Sequence, residues 1–322
     1  MSAPTDPQAL LARIEDARAL LNTHDHQKAL TPRLADPLPS LIQQCRSLSE
    51  EAAQVEAEPV RCLHHFACTG GTLMARYLAV QPNTILLSEI DPLSRLHIDG
   101  EPPRFAPTDL IQHLRYSPRE IPQEVIGDVF LAGLAPLLAD CRGRGRRLVL
   151  RDHAHSQFCH GDAPQDRPTL RALLMRRYPV RSVVTVRHPL DAYLSLSNNN
   201  WLHFTPGTLD EYARRTLAFL DAHEGVEIFR YEDFLAAPDP HLRNICKVLD
   251  LPFAGVQAEL VALMPLTGDS GRGGQGLQSR PRRPVPDDIA AAARTSKRYI
   301  SLCDRLKYDP APESGTGGSA GP

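Results

Sequence analysis

Phe66-Ala67-Cys68-Thr69-Gly70-Gly71-Thr72 places two glycines between two threonines, directly after a short apolar segment. A Gly-rich turn that opens a helix aims backbone N–H groups outward, and the helix terminus adds roughly half a positive charge; both suit a phosphate or sulfate group. Gly70 and Gly71 permit close approach, and the hydroxyls of Thr69 and Thr72 can donate to phosphate oxygens. An ordinary strand-to-helix turn reads the same way, so the loop by itself leaves both open. The Gly-Lys-[Ser/Thr] ending of an ATP-binding Walker loop is missing, which disfavours ATP chemistry. Cys68 at a helix N-terminus could also be an activated thiol.

A second anion site is suggested by Arg187, which closes the apolar run 182–186 and offers a planar fork for phosphate. Ser195 follows eight residues later. The plainer reading of Arg187 is a surface salt bridge with Asp191. Two groups at expected strand ends can take a proton, Glu89 after 84–88 and His153 after 147–150. A lone Glu there can equally be a solvated end or a helix cap, and one of the two can orient the other. Asp152-His153-Ala154-His155, with His160 following, is the one metal-like cluster; no further ligand has motif spacing, and no metal is expected. Trp201 and Phe204 can line an acceptor pocket or belong to the core.

These groups need a scaffold, and the chain is long enough for one large α/β domain: 322 residues, 42% hydrophobic and 23% charged. Strand-like runs at 60–66, 84–88, 147–150, 182–186 and 226–229 alternate with helical patterns at 72–80, 109–116, 123–141, 169–177, from Pro189, 209–223, 241–249 and 287–306. That alternation predicts a three-layer α/β/α architecture with a central parallel sheet. Residues 1–57 are expected to form an N-terminal helical extension with helices at 8–22 and 39–57, residues 58–308 the α/β domain, and 309–322 a disordered Gly/Ser/Pro/Ala tail. The net charge of −2 gives no global field for nucleic acid or an anionic membrane. Seven cysteines without a C-x-x-C pair fit a reducing compartment, and neither a signal peptide nor a membrane span is present in the pattern, so a cytoplasmic location is expected. The oligomeric state is not legible.

Three segments, in order, resemble the sulfotransferase superfamily of bacterial type. Cys68-Thr69-Gly70-Gly71-Thr72-Leu73 is similar to its 5′-phosphosulfate loop, in which a basic residue precedes Ser-Gly-Thr-Thr. Val186-Arg187-His188-Pro189-Leu190-Asp191 through Ser195 is similar to its 3′-phosphate motif, and Arg230-Tyr231-Glu232-Asp233-Phe234 to its later Arg-Tyr-Glu-Asp-Leu segment. The resemblance implies a P-loop-like nucleotide-hydrolase topology. It also implies transfer of a sulfuryl group from 3′-phosphoadenosine 5′-phosphosulfate to a hydroxyl or amine of a small-molecule, carbohydrate or peptide acceptor, without a metal. It implies donor contacts from Cys68, Thr69, Gly70, Gly71, Thr72, Leu73, Arg187 and Ser195. Glu89 stands where tyrosylprotein sulfotransferases carry their base, and Arg151-Asp152-His153 resembles the Lys-Thr-His of the cytosolic enzymes. The late Gly/Arg/Pro loop holds Arg280, Arg282 and Arg283, in the place of a basic segment that closes over the 3′-phosphate; a solvated linker is its other reading. One departure stands out: the family carries Lys or Arg where this chain has Cys68. Arg76 or Arg151 is expected to supply the missing charge. A P-loop kinase, or an inactive nucleotide-binding protein of the same fold, is the alternative.

Overall fold

The computed structural model describes residues 58–94, 108–263 and 282–313, with a few isolated positions before them. The chain divides into Met1–Glu56 and Ala57–Pro322, and the sheet lies in the second part. The helices expected at 8–22 and 39–57 fall largely outside the described residues.

In chain order, β1 (Val60–His65) leads to α1 (Gly71–Ala79), β2 (Thr84–Ile90), α2 (Leu110–Arg115), α3 (Gln123–Gly143) and β3 (Arg147–Asp152). Then come α4 (His155–Phe158), β4 (His160–Gly161), α5 (Leu170–Met175), β5 (Val180–Val186), α6 (Pro189–Asn198), β6 (His203–Phe204) and α7 (Leu209–Ala222). The domain continues with β7 (Glu227–Arg230), α8 (Tyr231–Ala236), α9 (Pro238–Val248), α10 (Ala258–Leu263), α11 (Asp287–Thr295) and α12 (Lys297–Leu306). Five strands form one parallel sheet in the order β2-β3-β1-β5-β7, and β4 pairs with β6 in a small second sheet.

The central strands β1 and β3 are buried almost throughout because helices cover both faces. Leu63, Val149 and Val183 point toward α1 and α9, where Leu78, Leu242 and Ile245 pack. Their neighbours Cys62, Leu148 and Leu150 point the other way, against Leu134 and Leu173 of α3 and α5. On that same side Val184 and Val186 meet Phe219, Tyr299 and Leu302 of α7 and α12. Strand β1 continues through α1 to one side of the sheet and β5 through α6 and α7 to the other. The winding therefore reverses between β1 and β5, and the crevice at the carboxyl ends of those strands is where such sheets bind ligands.

Three expectations change. The strand expected at 84–88 runs to Ile90 and that at 147–150 to Asp152, so Glu89 and Arg151 lie within strands rather than after them. The helix expected over 287–306 breaks at Ser296, whose hydroxyl accepts from Tyr299 N and caps α12. Residues 309–313, expected to be part of a disordered tail, are packed: Tyr299 donates to Pro310 O, and Arg282 to the carbonyls of Ala311 and Pro312.

Candidate active site

After β1 the chain turns through Cys68 (φ +62°) and Gly70 (φ +87°) into α1. Gly70 occupies the N-cap and, lacking a side chain, makes no cap bond to the N–H groups of the first turn. Both glycines are demanded by packing. A Cβ on Gly70 would lie 2.3 Å from the Tyr231 ring, and one on Gly71 2.2 Å from the His65 ring. The Thr69 hydroxyl is turned inward, donating to Phe66 O at 2.7 Å, so it braces the turn instead of facing an anion.

The cation beside this loop comes from β3. Arg151 is 3% exposed. Its Nη2 donates to Thr72 Oγ1 at 2.8 Å, its Nη1 to Ser88 Oγ at 2.9 Å, and its Nε to His65 Nε2 at 3.0 Å. His65 receives that bond as a neutral ring, with Nδ1–H donating to Phe66 O; burial and the adjacent Arg151 hold its pKa well below the usual histidine value. Of the two expected substitutes for the loop's missing basic residue, Arg151 touches the helix's first turn. Arg76 sits a full turn further along α1, on the same face as Thr72.

Glu89 stands on the opposite side of the same guanidinium. Register between β2 and β3 shifts between Leu87 and Ile90, and Glu89 adopts φ +60° at that irregularity. The bulge places the carboxylate beside Arg151 and His153. Oε1 lies 2.6 Å from Arg151 Nη1, and Oε2 3.2 Å from His153 Nε2 without a hydrogen bond to it. Burial raises the Glu89 pKa, with Arg151 opposing and Asp152 adding. His153 packs edge-on against His155, their ring centroids 3.7 Å apart. Glu89, His153 and His155 each offer a ligand atom within 4.8 Å of the others, but the positive charge of Arg151 already occupies that corner. Asp152, grouped with these histidines by sequence, points to the opposite face.

At the end of β5, Arg187 lies over the face of Tyr231, with 5.4 Å from guanidinium carbon to ring centroid. Tyr231 thus lies between Gly70 and Arg187 and sets the gap between the loop and the end of β5. Asp191, the plainer partner suggested for Arg187, is taken by Arg282: their buried pair closes at 2.9 Å, with side chains 6% and 3% exposed. The position of Arg282 is therefore that of a strut holding α6 to the chain's end, and its charge is neutralised there; Arg280 lies outside the described residues. Ser195 is 9% exposed on α6. Glu232 accepts from His188 N at 2.9 Å and Tyr308 Oη at 2.6 Å, which holds the turn after Arg187. Phe204 is core, 4% exposed beneath Arg215, whereas Trp201 is exposed. Leu73 packs against the α1 side of the core.

No family model and no curated protein matches the chain. Two solved sulfotransferase structures are similar to it. One is a sulfotransferase from Alicyclobacillus acidocaldarius, 17% identical, covering 79% of this chain and 97% of that one with a TM-score of 0.42. The other is the sulfotransferase domain from the Synechococcus PCC 7002 olefin synthase, 16% identical, covering 80% and 97%, also at 0.42. Among the described residues, no helix is long and apolar enough to cross a membrane.

Sequence reasoning missed Tyr231 and His65 as shapers of the site. Tyr231 was legible as part of a motif, but its place against Gly70 and Arg187 depends on β7 lying beside β5. His65 carries no signal beyond being the last residue of a strand.

Proposed function

We propose that this chain transfers a sulfuryl group from 3′-phosphoadenosine 5′-phosphosulfate to an acceptor hydroxyl or amine. The observation that carries the reading is Arg151, bonded to Thr72 on one side and paired with Glu89 on the other. It links the anion-binding turn to a carboxylate whose second oxygen has no hydrogen bond. The donor's 5′ end would lie on the uncapped first turn of α1 beside Arg151, and its 3′-phosphate would meet Arg187 and Ser195 across the Tyr231 spacer.

Glu89 Oε2 takes the acceptor's proton as the acceptor atom bonds to sulfur. The sulfur–oxygen bond to the 5′-phosphate breaks, and its electron pair leaves on the phosphate oxygen. Protonation removes the negative charge beside Arg151, so its full positive charge meets the phosphate as that group becomes more negative. Arg151, 2.6 Å from Oε1, orients the carboxylate, and His153 lies 3.2 Å from Oε2.

Titration with adenosine 3′,5′-bisphosphate, against ATP with magnesium, tests the donor class; labelled donor with a panel of alcohols, sugars, amines and tyrosyl peptides tests transfer. The expected result is preferential bisphosphate binding that Arg187→Ala weakens roughly 10- to 100-fold, as for a lost charge-assisted bond. Preference for ATP with magnesium would favour the kinase reading, and tight bisphosphate binding without transfer to any acceptor the inactive one.

A further inference from the structure

On the sheet face away from α1, a second group of titratable side chains lies outside the proposed site. His64 of β1, Asp152 of β3 and His223 at the end of α7 are all buried, and each presents a ligand atom within 4.8 Å of the other two. His64 Nδ1 lies 2.6 Å and His223 Nε2 3.9 Å from Asp152 Oδ2. The outer nitrogens are held: His223 Nδ1–H donates to Phe219 O at 2.8 Å, and His64 Nε2 bonds Ser182 Oγ at 3.1 Å. Fixing the far ring nitrogen on an oxygen is how proteins present an imidazole to a metal.

We infer that His64, Asp152 and His223 bind a divalent transition ion of the zinc class, which ties β1 and β3 to the end of α7. Two observations carry this. His223 Nε2 is fully buried and has no hydrogen-bond partner; with Nδ1–H given to a carbonyl, it is a bare lone pair aimed toward Asp152. Asp152, 3% exposed, has ion pairs among the described residues only with these two histidines. The charge of Arg171 reaches both rings but makes no ion pair with Asp152 among the described residues.

At the observed 3.9 Å a proton on Asp152 does not reach His223 Nε2, which is left without a donor. A divalent ion satisfies all three atoms and supplies the cation a buried carboxylate needs. The geometry is within reach: ligands about 2 Å from a tetrahedral ion sit roughly 3.3 Å apart. The two measured separations, 2.6 and 3.9 Å, bracket that value and need shifts of less than about 1 Å. Two imidazoles and one carboxylate suit zinc and its neighbours rather than magnesium or calcium.

The test is the metal content of the full chain, purified without a polyhistidine tag, by inductively coupled plasma mass spectrometry. The inference expects about one zinc-class ion per chain. Chelator treatment should lower Tm, and cobalt added to the depleted protein should restore it and give the visible absorption of a tetrahedral site. His223→Gln should cut bound metal at least about tenfold, while Glu89→Gln, at the other cluster, should retain it. Metal-free wild-type protein that neither binds cobalt nor gains thermal stability from it overturns the inference, as does full metal in His223→Gln. Should His223→Gln fail to fold, the wild-type content and cobalt spectrum decide. None of these measurements depends on sulfuryl transfer.

Discussion

The residue that most needs explaining is Cys68, which stands where a cation is expected from the resemblance. Arg151 reaches the loop from a neighbouring strand, bonded to Thr72 and paired with Glu89. Glu89→Gln keeps an oxygen for Arg151 but cannot take a proton. Turnover at saturating donor is expected to fall about 10²- to 10⁴-fold, with bisphosphate affinity little changed; near-normal turnover would remove Glu89 as the base. The pH profile has a defined sign. A base must be ionised, and burial raises the Glu89 pKa above its ordinary value, so turnover should fall as pH drops through that raised pKa. In Glu89→Gln this acid limb should vanish from the residual rate.

Among the elements, the contacts of the loop matter more than its glycine content. Gly70 needs its left-handed φ and also the absence of a Cβ, since the Tyr231 ring fills that space. Gly70→Ala carries a backbone penalty of roughly 1–2 kcal/mol and pushes Tyr231 toward Arg187. Expected are a stability loss of at least that size by denaturant unfolding and weaker bisphosphate binding; unchanged affinity would uncouple the loop from Arg187. The bulge in β2 belongs to this scale too. The residues around Glu89 read as a strand and a turn, but only pairing with β3 shows that its φ of +60° lies inside the sheet. The helix break at Ser296 was hidden for another reason: Asp287–Leu306 has one helical apolar pattern, and the break is set by Ser296 capping the second half.

For the molecule as a whole, Arg282 and residues 309–312 tie down α6 beside β5. Arg282 and Asp191 form a buried pair, and removing one partner leaves the other's charge unpaired in the core. Arg282→Ala is expected to destabilise by about 3–5 kcal/mol in denaturant unfolding, while folded protein still binds bisphosphate. Weaker binding without lost stability would return Arg282 to the donor site. His188 makes a second lock, with Leu190 N donating to Nδ1 and Nε2–H donating to Asp309 O. Burial lowers its pKa from 6.5 to about 4. The unfolded chain therefore takes up a proton at this residue below pH 6.5 that the folded chain refuses until about 4. Stability should fall as pH drops through that window, by up to about 3 kcal/mol from this residue. His188→Gln should flatten part of that fall in unfolding measured at pH 7.5 and pH 4.5; an unchanged slope would exclude His188 from it.

Local pattern was enough for the alternation of strands and helices, the glycine turn at Gly70–Gly71 that opens a helix and Arg187 at a strand end, because each depends on periodicity or on neighbours a few residues away. The assignment of charges was not local. Arg151 serving the loop, Arg282 spent on Asp191, Asp152 facing His64 and His223, and Tyr231 spacing Gly70 from Arg187 all join positions far apart in the chain. Electrostatics and packing act through space, so which cation meets which anion was decided only when the strand order β2-β3-β1-β5-β7 set these side chains next to one another.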